Sequence, residues 1–398
     1  PRRRGVRGHA LSSGLKFGHN TPMKRLCIAG VVILALLAGS EGLARLFLGP
    51  PDPVRPERID WACRRDPHLG FTFVPGAVGP GGPGANSINA LGFRGPEIPL
   101  EKAPGVYRIL CVGDSVTNGV NVHNDTTYPG ILQRLFAADP VADRRVEVVN
   151  AGVPGYLSDH QRYRMEHDFA RLDPDCIVFL MGEADVTASL LTNETWQAIG
   201  RPRPMTVPWL EGPWLKRLAA HSTVARRLRD KLENAIIDRR LEKSADQDMT
   251  ETLTRAIALY KANMDAMLAD CRARGIQAVI VNYPWNFSDK VGRGDNYNEL
   301  KTLIKPFEFN LFWQAAPLLA KANRELAAAW QIPLIDPQPA IYALADRRTV
   351  YDDFSHPNKK GNFLLACTVA SALRADVFQS PDPGRKVPYD LVADCLLN

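Results

Sequence analysis

Two short stretches, far apart in the chain, carry residue types able to run an acyl transfer. The first is Cys111-Val112-Gly113-Asp114-Ser115-Val116-Thr117-Asn118-Gly119. An apolar run ends there in a serine flanked by glycines, which matches the carboxyl end of a strand, where α/β sheets open their active crevice. Glycine lets the backbone turn sharply and approach a ligand closely. The pattern is not Gly-x-Ser-x-Gly, because Thr117 holds its last position. The second stretch is Asp353-Phe354-Ser355-His356-Pro357-Asn358, with Gly361 following. A serine hydroxyl is a poor nucleophile at neutral pH and needs an adjacent base. Imidazole titrates near neutrality, and an acid on its other nitrogen fixes the tautomer and stabilises the imidazolium. A spacing of three lets one short turn deliver both; Asp352 is off by one, so Asp353 is the assigned acid. Each stretch also has a plainer reading, the first as a turn or helix cap, the second as the cap of a helix starting near Lys359. Jointly they point to Ser115 as nucleophile, His356 as base and Asp353 as its orienting acid.

These side chains need a scaffold, and the pattern from residue 105 to 378 supplies one. Continuous apolar runs at Tyr107–Val112, Val146–Asn150, Cys176–Met181, Gln277–Asn282 and Ile332–Ile335 read as strands buried on both faces. Amphipathic stretches at Tyr128–Ala138, Ser158–Leu172, Thr250–Gly275, Asn310–Trp330 and Lys360–Ala375 read as helices between them. Alternation of this kind predicts a three-layer α/β/α domain around a mainly parallel, flavodoxin-like sheet. Residues 187–247 interrupt it as a long insertion carrying Trp196, Trp209 and Trp214, then a basic helical stretch from Lys216 to Lys231. That insertion reads as a lid or substrate wall, a solvated helical excursion, or a patch resting on anionic lipid.

With those residues in view, the chain resembles the SGNH/GDSL hydrolases from about Tyr107 to Leu373. Gly113-Asp114-Ser115 matches the nucleophile block, and Asp353 with His356 the last block. Asn150-Ala151-Gly152 matches the glycine block, which implies an oxyanion hole formed by the backbone amides of Ser115 and Gly152. Upstream, Asn89-Ala90-Leu91-Gly92-Phe93-Arg94-Gly95-Pro96-Glu97 resembles a segment preceding the domain in exported members. The third block departs from the family. Gly-x-Asn-Asp becomes Gly182-Glu183-Ala184-Asp185, so Ala184 stands where a side-chain amide would donate to the oxyanion. Losing one such donor costs on the order of 10²–10³ in turnover. An ionised Glu183 offers no donor in its place. Asp185 is expected to organise the following turn.

The N-terminal part concerns location. Residues 1–25 are basic, and 26–48 are largely apolar, with Glu41 and Arg45 near the far end. A basic flank before an apolar stretch of about 20 residues reads as a signal anchor, with a cleaved export signal or a buried core helix as alternatives. The flank predicts a cytoplasmic N-terminus and an extracytoplasmic (periplasmic or cell-surface) domain. Residues 49–104, rich in Pro and Gly, read as a linker, and 379–398 as a C-terminal tail. The net charge of +6 is concentrated in the basic flank, and the rest is near neutral, which gives no case for nucleic-acid binding. No Cys-x-x-Cys or His-x-x-x-His pair occurs, so neither metal nor other cofactor is expected. Cys111 and Cys176, inside strand-like runs, read as core residues.

The expected activity is hydrolysis of carboxylic esters, acetyl or longer acyl, on carbohydrate or lipid, by a Ser-His-Asp acyl-enzyme. The alternatives are an O-acyltransferase acting on an envelope polysaccharide, and a catalytically weak SGNH-like protein that binds glycan or assists assembly.

Overall fold

The structure is a computed structural model, and it describes residues 21–48, 62–141, 144–188, most of 214–232, 248–288, 290–301 and 306–380. The described residues fall into two compact units. One is drawn from Pro1–Pro53 and Leu210–Lys231, the other from Val54–Trp209 and Leu232–Asn398.

In the larger unit, five strands form one parallel sheet: β3 (Val106–Gly113), β4 (Arg145–Asn150), β5 (Cys176–Leu180), β6 (Gln277–Val281) and β7 (Leu334–Ile335). Two further strands, β1 (Cys63–Asp66) and β2 (Gly70–Phe73), form a separate antiparallel hairpin. The order β4-β3-β5-β6-β7 is the flavodoxin-like arrangement, in which the crevice opens between the first strand and the third. The strands are apolar throughout because helices cover both faces: Ile109, Leu110, Ile177, Val178 and Ile280 have no exposed surface. β7 is shorter than the apolar run Ile332–Ile335. Pro333 has no N–H to give to the ladder, and the strand begins just after it.

The helices that matter for the site follow the strand ends. After β3 comes the single turn α2 (Ser115–Asn118), then α3 (Tyr128–Ala138), capped by Thr127, whose side chain accepts from Gly130 N. α4 (Ser158–Arg164) follows β4 and continues through a widened turn and a tight one to Leu172, where Asp173 turns left-handed at φ 48°. Beyond β5 lies α5 (Glu183–Ala188), and α6 (Thr250–Arg274) leads into β6, ended by Gly275 in the left-handed region. Next come α7 (Arg293–Leu300), α8 (Pro306–Trp330), α9 (Gln338–Tyr342) and α10 (Lys359–Ala372).

Residues 62–104 correct the expectation of a linker. Phe73, Ala77, Ile88, Val153 and Tyr156 form their own apolar cluster, joining the β1–β2 hairpin to the loop after β4. Arg94 is buried and donates to Asn118 O, Gly119 O, Val122 O and the side-chain oxygens of Asn86 and Asn124. Glycine and proline break regular secondary structure there, but they do not prevent packing. Residues 49–61 lie outside the described residues, as do 381–398 of the tail.

In the smaller unit, α1 (Thr21–Leu48) contains Ile28–Phe47, 20 residues with mean hydropathy 1.7 and none of them buried. It is long and apolar enough to cross a membrane. Near its end, Glu41 accepts from Ser222 Oγ and from the backbone N–H of Thr223 and Val224, and pairs with Arg45 at 2.7 Å. The carboxylate thus caps a helical segment of the insertion, where free N–H groups favour an anion. Trp196 and Trp209, with much of 187–247, lie outside the described residues.

Candidate active site

Ser115 opens α2 at the end of β3. Asp114 caps this turn, accepting from Val116 N at 3.2 Å, and Gly119 closes it at φ 79°. Gly113 is required by space: a Cβ there would lie 1.9 Å from Leu180 O, on the neighbouring strand end. Thr117 donates to the same carbonyl and Gln161 donates to Gly113 O, so the nucleophile's turn is held from both sides.

The loop before α10 is fixed as firmly. Asn358 caps α10 through Lys360 N and Gly361 N, and Asp352 N donates to His356 O across the loop. Phe354 stacks on Phe312 of α8 at 4.6 Å. The Tyr351 hydroxyl donates to Pro284 O, beyond the end of β6.

These two supports bring the sequence-predicted side chains together. His356 Nε2 lies 2.8 Å from Ser115 Oγ, and His356 Nδ1 lies 2.7 Å from Asp353 Oδ2. Asp353 Oδ1 also accepts from the backbone N–H of Ser355 and His356. Burial pushes Asp353 up, but the hydrogen bonds and charge of His356 outweigh it and hold the carboxyl below its ordinary value. Burial likewise depresses His356. The bond and charge of Asp353, with the charges of Glu183 and Asp114, more than offset that and lift it above its ordinary value. The arrangement is a hydroxyl, a base and an acid in one hydrogen-bonded line.

The oxyanion side is arranged differently. The Ser115 N–H begins α2, where no earlier turn supplies an acceptor. The Gly152 N–H, the other expected donor, is 3.1 Å from Asn150 Oδ1. Gly152 itself packs tightly, since a Cβ would come within 2.3 Å of Asn118 N. Ala184 is buried at the start of α5 and offers no side-chain donor. Asp185 accepts from the Ser158 N–H and Oγ–H, tying α5 to the start of α4.

Three further groups line the same place: Asp114 and Glu183, to which the sequence assigned no chemical role, and Tyr283, which it did not single out. Asp114 is wholly buried and pushed up to about 8, by burial first and then by the charge of Glu183. Glu183 accepts from Thr187 at 2.7 Å and is itself raised by burial. Tyr283, two residues past β6, is buried with its hydroxyl toward Ser115. Its position at a strand's carboxyl end was the available signal. Among the described residues, no group of three His, Cys, Asp or Glu side chains is disposed to hold a metal.

Compared with known families, residues 111–363 match the GDSL-like Lipase/Acylhydrolase family, well over half of the 398 residues. The protein belongs to that family. As a GDSL-like acylhydrolase it is an SGNH-type esterase. Among solved structures, a lipase/acylhydrolase from Enterococcus faecalis is 17% identical with a TM-score of 0.40, covering 68% of this chain and 96% of that one. An acetylxylan esterase from Geobacillus stearothermophilus, solved as a catalytic mutant, is 12% identical with a TM-score of 0.40, covering 70% of this chain and 95% of that one. Likeness at these scores carries nothing about substrate. No curated protein matches the chain.

Proposed function

We propose that this GDSL-like esterase cleaves acetyl or other acyl esters of carbohydrate or lipid, through an acyl-enzyme on Ser115. The observation carrying the proposal is the line of contacts Ser115–His356–Asp353, at 2.8 and 2.7 Å.

In the first half-reaction, His356 Nε2 takes the Ser115 proton as Oγ bonds to the ester carbon, and the carbonyl π pair moves onto oxygen. Asp353, held ionised, stabilises the imidazolium. The Ser115 N–H donates to the oxyanion. The Gly152 N–H joins it if the new charge outcompetes Asn150 Oδ1, as an ionic acceptor outcompetes a neutral one. Collapse expels the alcohol, which takes the proton from His356. Water, deprotonated by the same imidazole, then attacks the acyl carbon; the acyl–Oγ bond breaks, Ser115 Oγ takes the proton from His356, and the acid leaves.

Location follows from α1. An apolar helix with a basic N-terminal flank is a signal anchor in this reading, holding the esterase domain on the extracytoplasmic side. Ester substrates there include acetylated envelope glycans and lipids.

The test is acetate release from acetylated polysaccharide by the purified protein and by its Ser115→Ala variant. Release by the wild type alone supports the proposal. Equal, near-zero release from polysaccharide and from p-nitrophenyl acetate would sink it.

A further inference from the structure

We propose that Tyr283 is a catalytic residue of this esterase, its phenol O–H donating to the oxyanion in place of the side-chain amide that Ala184 lacks. The assignment rests on the acyl-enzyme reading above.

Three observations carry it. First, the Tyr283 hydroxyl faces the Ser115 side chain, yet it completes no well-formed hydrogen bond and its oxygen is buried. Native proteins rarely leave a buried hydroxyl unmatched, and such orphans mark places where a ligand or a catalytic charge completes the set. Second, the ring is fixed. It lies against Trp285 with centroids 4.6 Å apart, and Gln338 Nε2 donates to Tyr283 O at 3.0 Å. A donor held in place before the charge develops is what oxyanion stabilisation requires. Third, the hole is short of donors on its protein side. Ala184 has no side-chain donor, and the Gly152 N–H is turned to Asn150 Oδ1.

The chemistry is consistent. Burial, then the charges of Asp114, Glu183 and Asp353, raise the phenol's ionisation well above its ordinary value, so it stays a donor throughout the working range. In the resting state Ser115 Oγ lies 2.8 Å from His356 Nε2, to which its proton is directed. When Oγ bonds to the acyl carbon, the oxyanion sits on that same carbon. A phenol ranged on Oγ reaches it by rotation about its own C–O bond. Tyr283 keeps its proton; as the tetrahedral intermediate forms, the only proton that moves is the one passing from Ser115 to His356.

The experiment measures p-nitrophenyl acetate hydrolysis by wild type, Tyr283→Phe, Ala184→Asn and the double variant, with Ser115→Ala as baseline. Removing an oxyanion donor predicts a kcat fall of about 10²-fold in Tyr283→Phe, with KM changed by less than about threefold. Its Tm should hold or rise, since an unmatched buried hydroxyl is removed. Ala184→Asn should give a large gain in the Tyr283→Phe background and a small one in the wild type. A Tyr283→Phe kcat within about threefold of wild type would overturn the assignment alone. So would an Ala184→Asn gain of the same size in both backgrounds, which needs only the ratio of gains. A wild type no faster than Ser115→Ala overturns the acyl-enzyme reading, and this assignment with it.

Discussion

At the scale of single residues, the site's pH response is set by what surrounds one imidazole. Asp353, Glu183 and Asp114 all lift His356 above its ordinary value of 6.5. Turnover needs the neutral base, so activity is present above that raised value and is lost as the pH falls through it. Asp353→Asn removes the largest lifting charge and the tautomer lock. It should lower kcat on the order of 10³–10⁴ and move the acid limb of the pH–rate profile to lower pH. Glu183→Gln should move that limb in the same direction while leaving Ser115 and Asp353 in contact with His356. A limb unmoved in both variants would contradict the assignment of His356 as base. The serine, the acid and the histidine were visible in sequence because their chemistry fixes both type and spacing. Tyr283 was not, nor was the influence of Glu183 on the base. Each approaches the nucleophile from a different strand end, and only the sheet order brings those ends together. Nor does sequence reveal that Asn150 Oδ1 meets the Gly152 N–H, because that depends on a rotamer.

At the scale of elements, the five strands and their helices were legible because strands buried on both faces must be apolar throughout, and helices must show one apolar face. The segment 62–104 was not, because its order comes from a small apolar cluster and polar contacts rather than from periodicity. Arg94 is the centre of those contacts. Its guanidinium serves the carbonyls of Asn118 and Gly119, at the end of the turn that begins with Ser115. Burial brings Arg94 down to about 10, well above working pH, so it stays a cation. Arg94→Met keeps the apolar stem but leaves these buried acceptors unmatched. It should cost about 3 kcal/mol or more, a fall in Tm of roughly 6–12 °C for a domain of this size, and turnover should fall with it. Thermal melting of the variant beside wild type checks this; an unchanged Tm would mean the upstream segment is not integral to the site's support.

At the scale of the whole molecule, α1 is long and apolar enough to cross a membrane, and it leaves Leu46 75% and Phe47 78% exposed. If α1 is an anchor, the full chain should sediment with membranes and resist alkaline carbonate, while a chain starting at residue 54 should stay soluble and keep its esterase activity. Activity lost with α1 would contradict the division into two units.

The central claim, that Ser115 is the nucleophile activated by His356, is tested most directly by covalent labelling. The purified protein is exposed to a fluorophosphonate and the modified peptide is located by mass spectrometry. The label is predicted on the peptide containing Ser115, absent in Ser115→Ala and at least about 10³-fold slower in His356→Ala. A label on another residue, or equal rates with and without His356, would contradict the account.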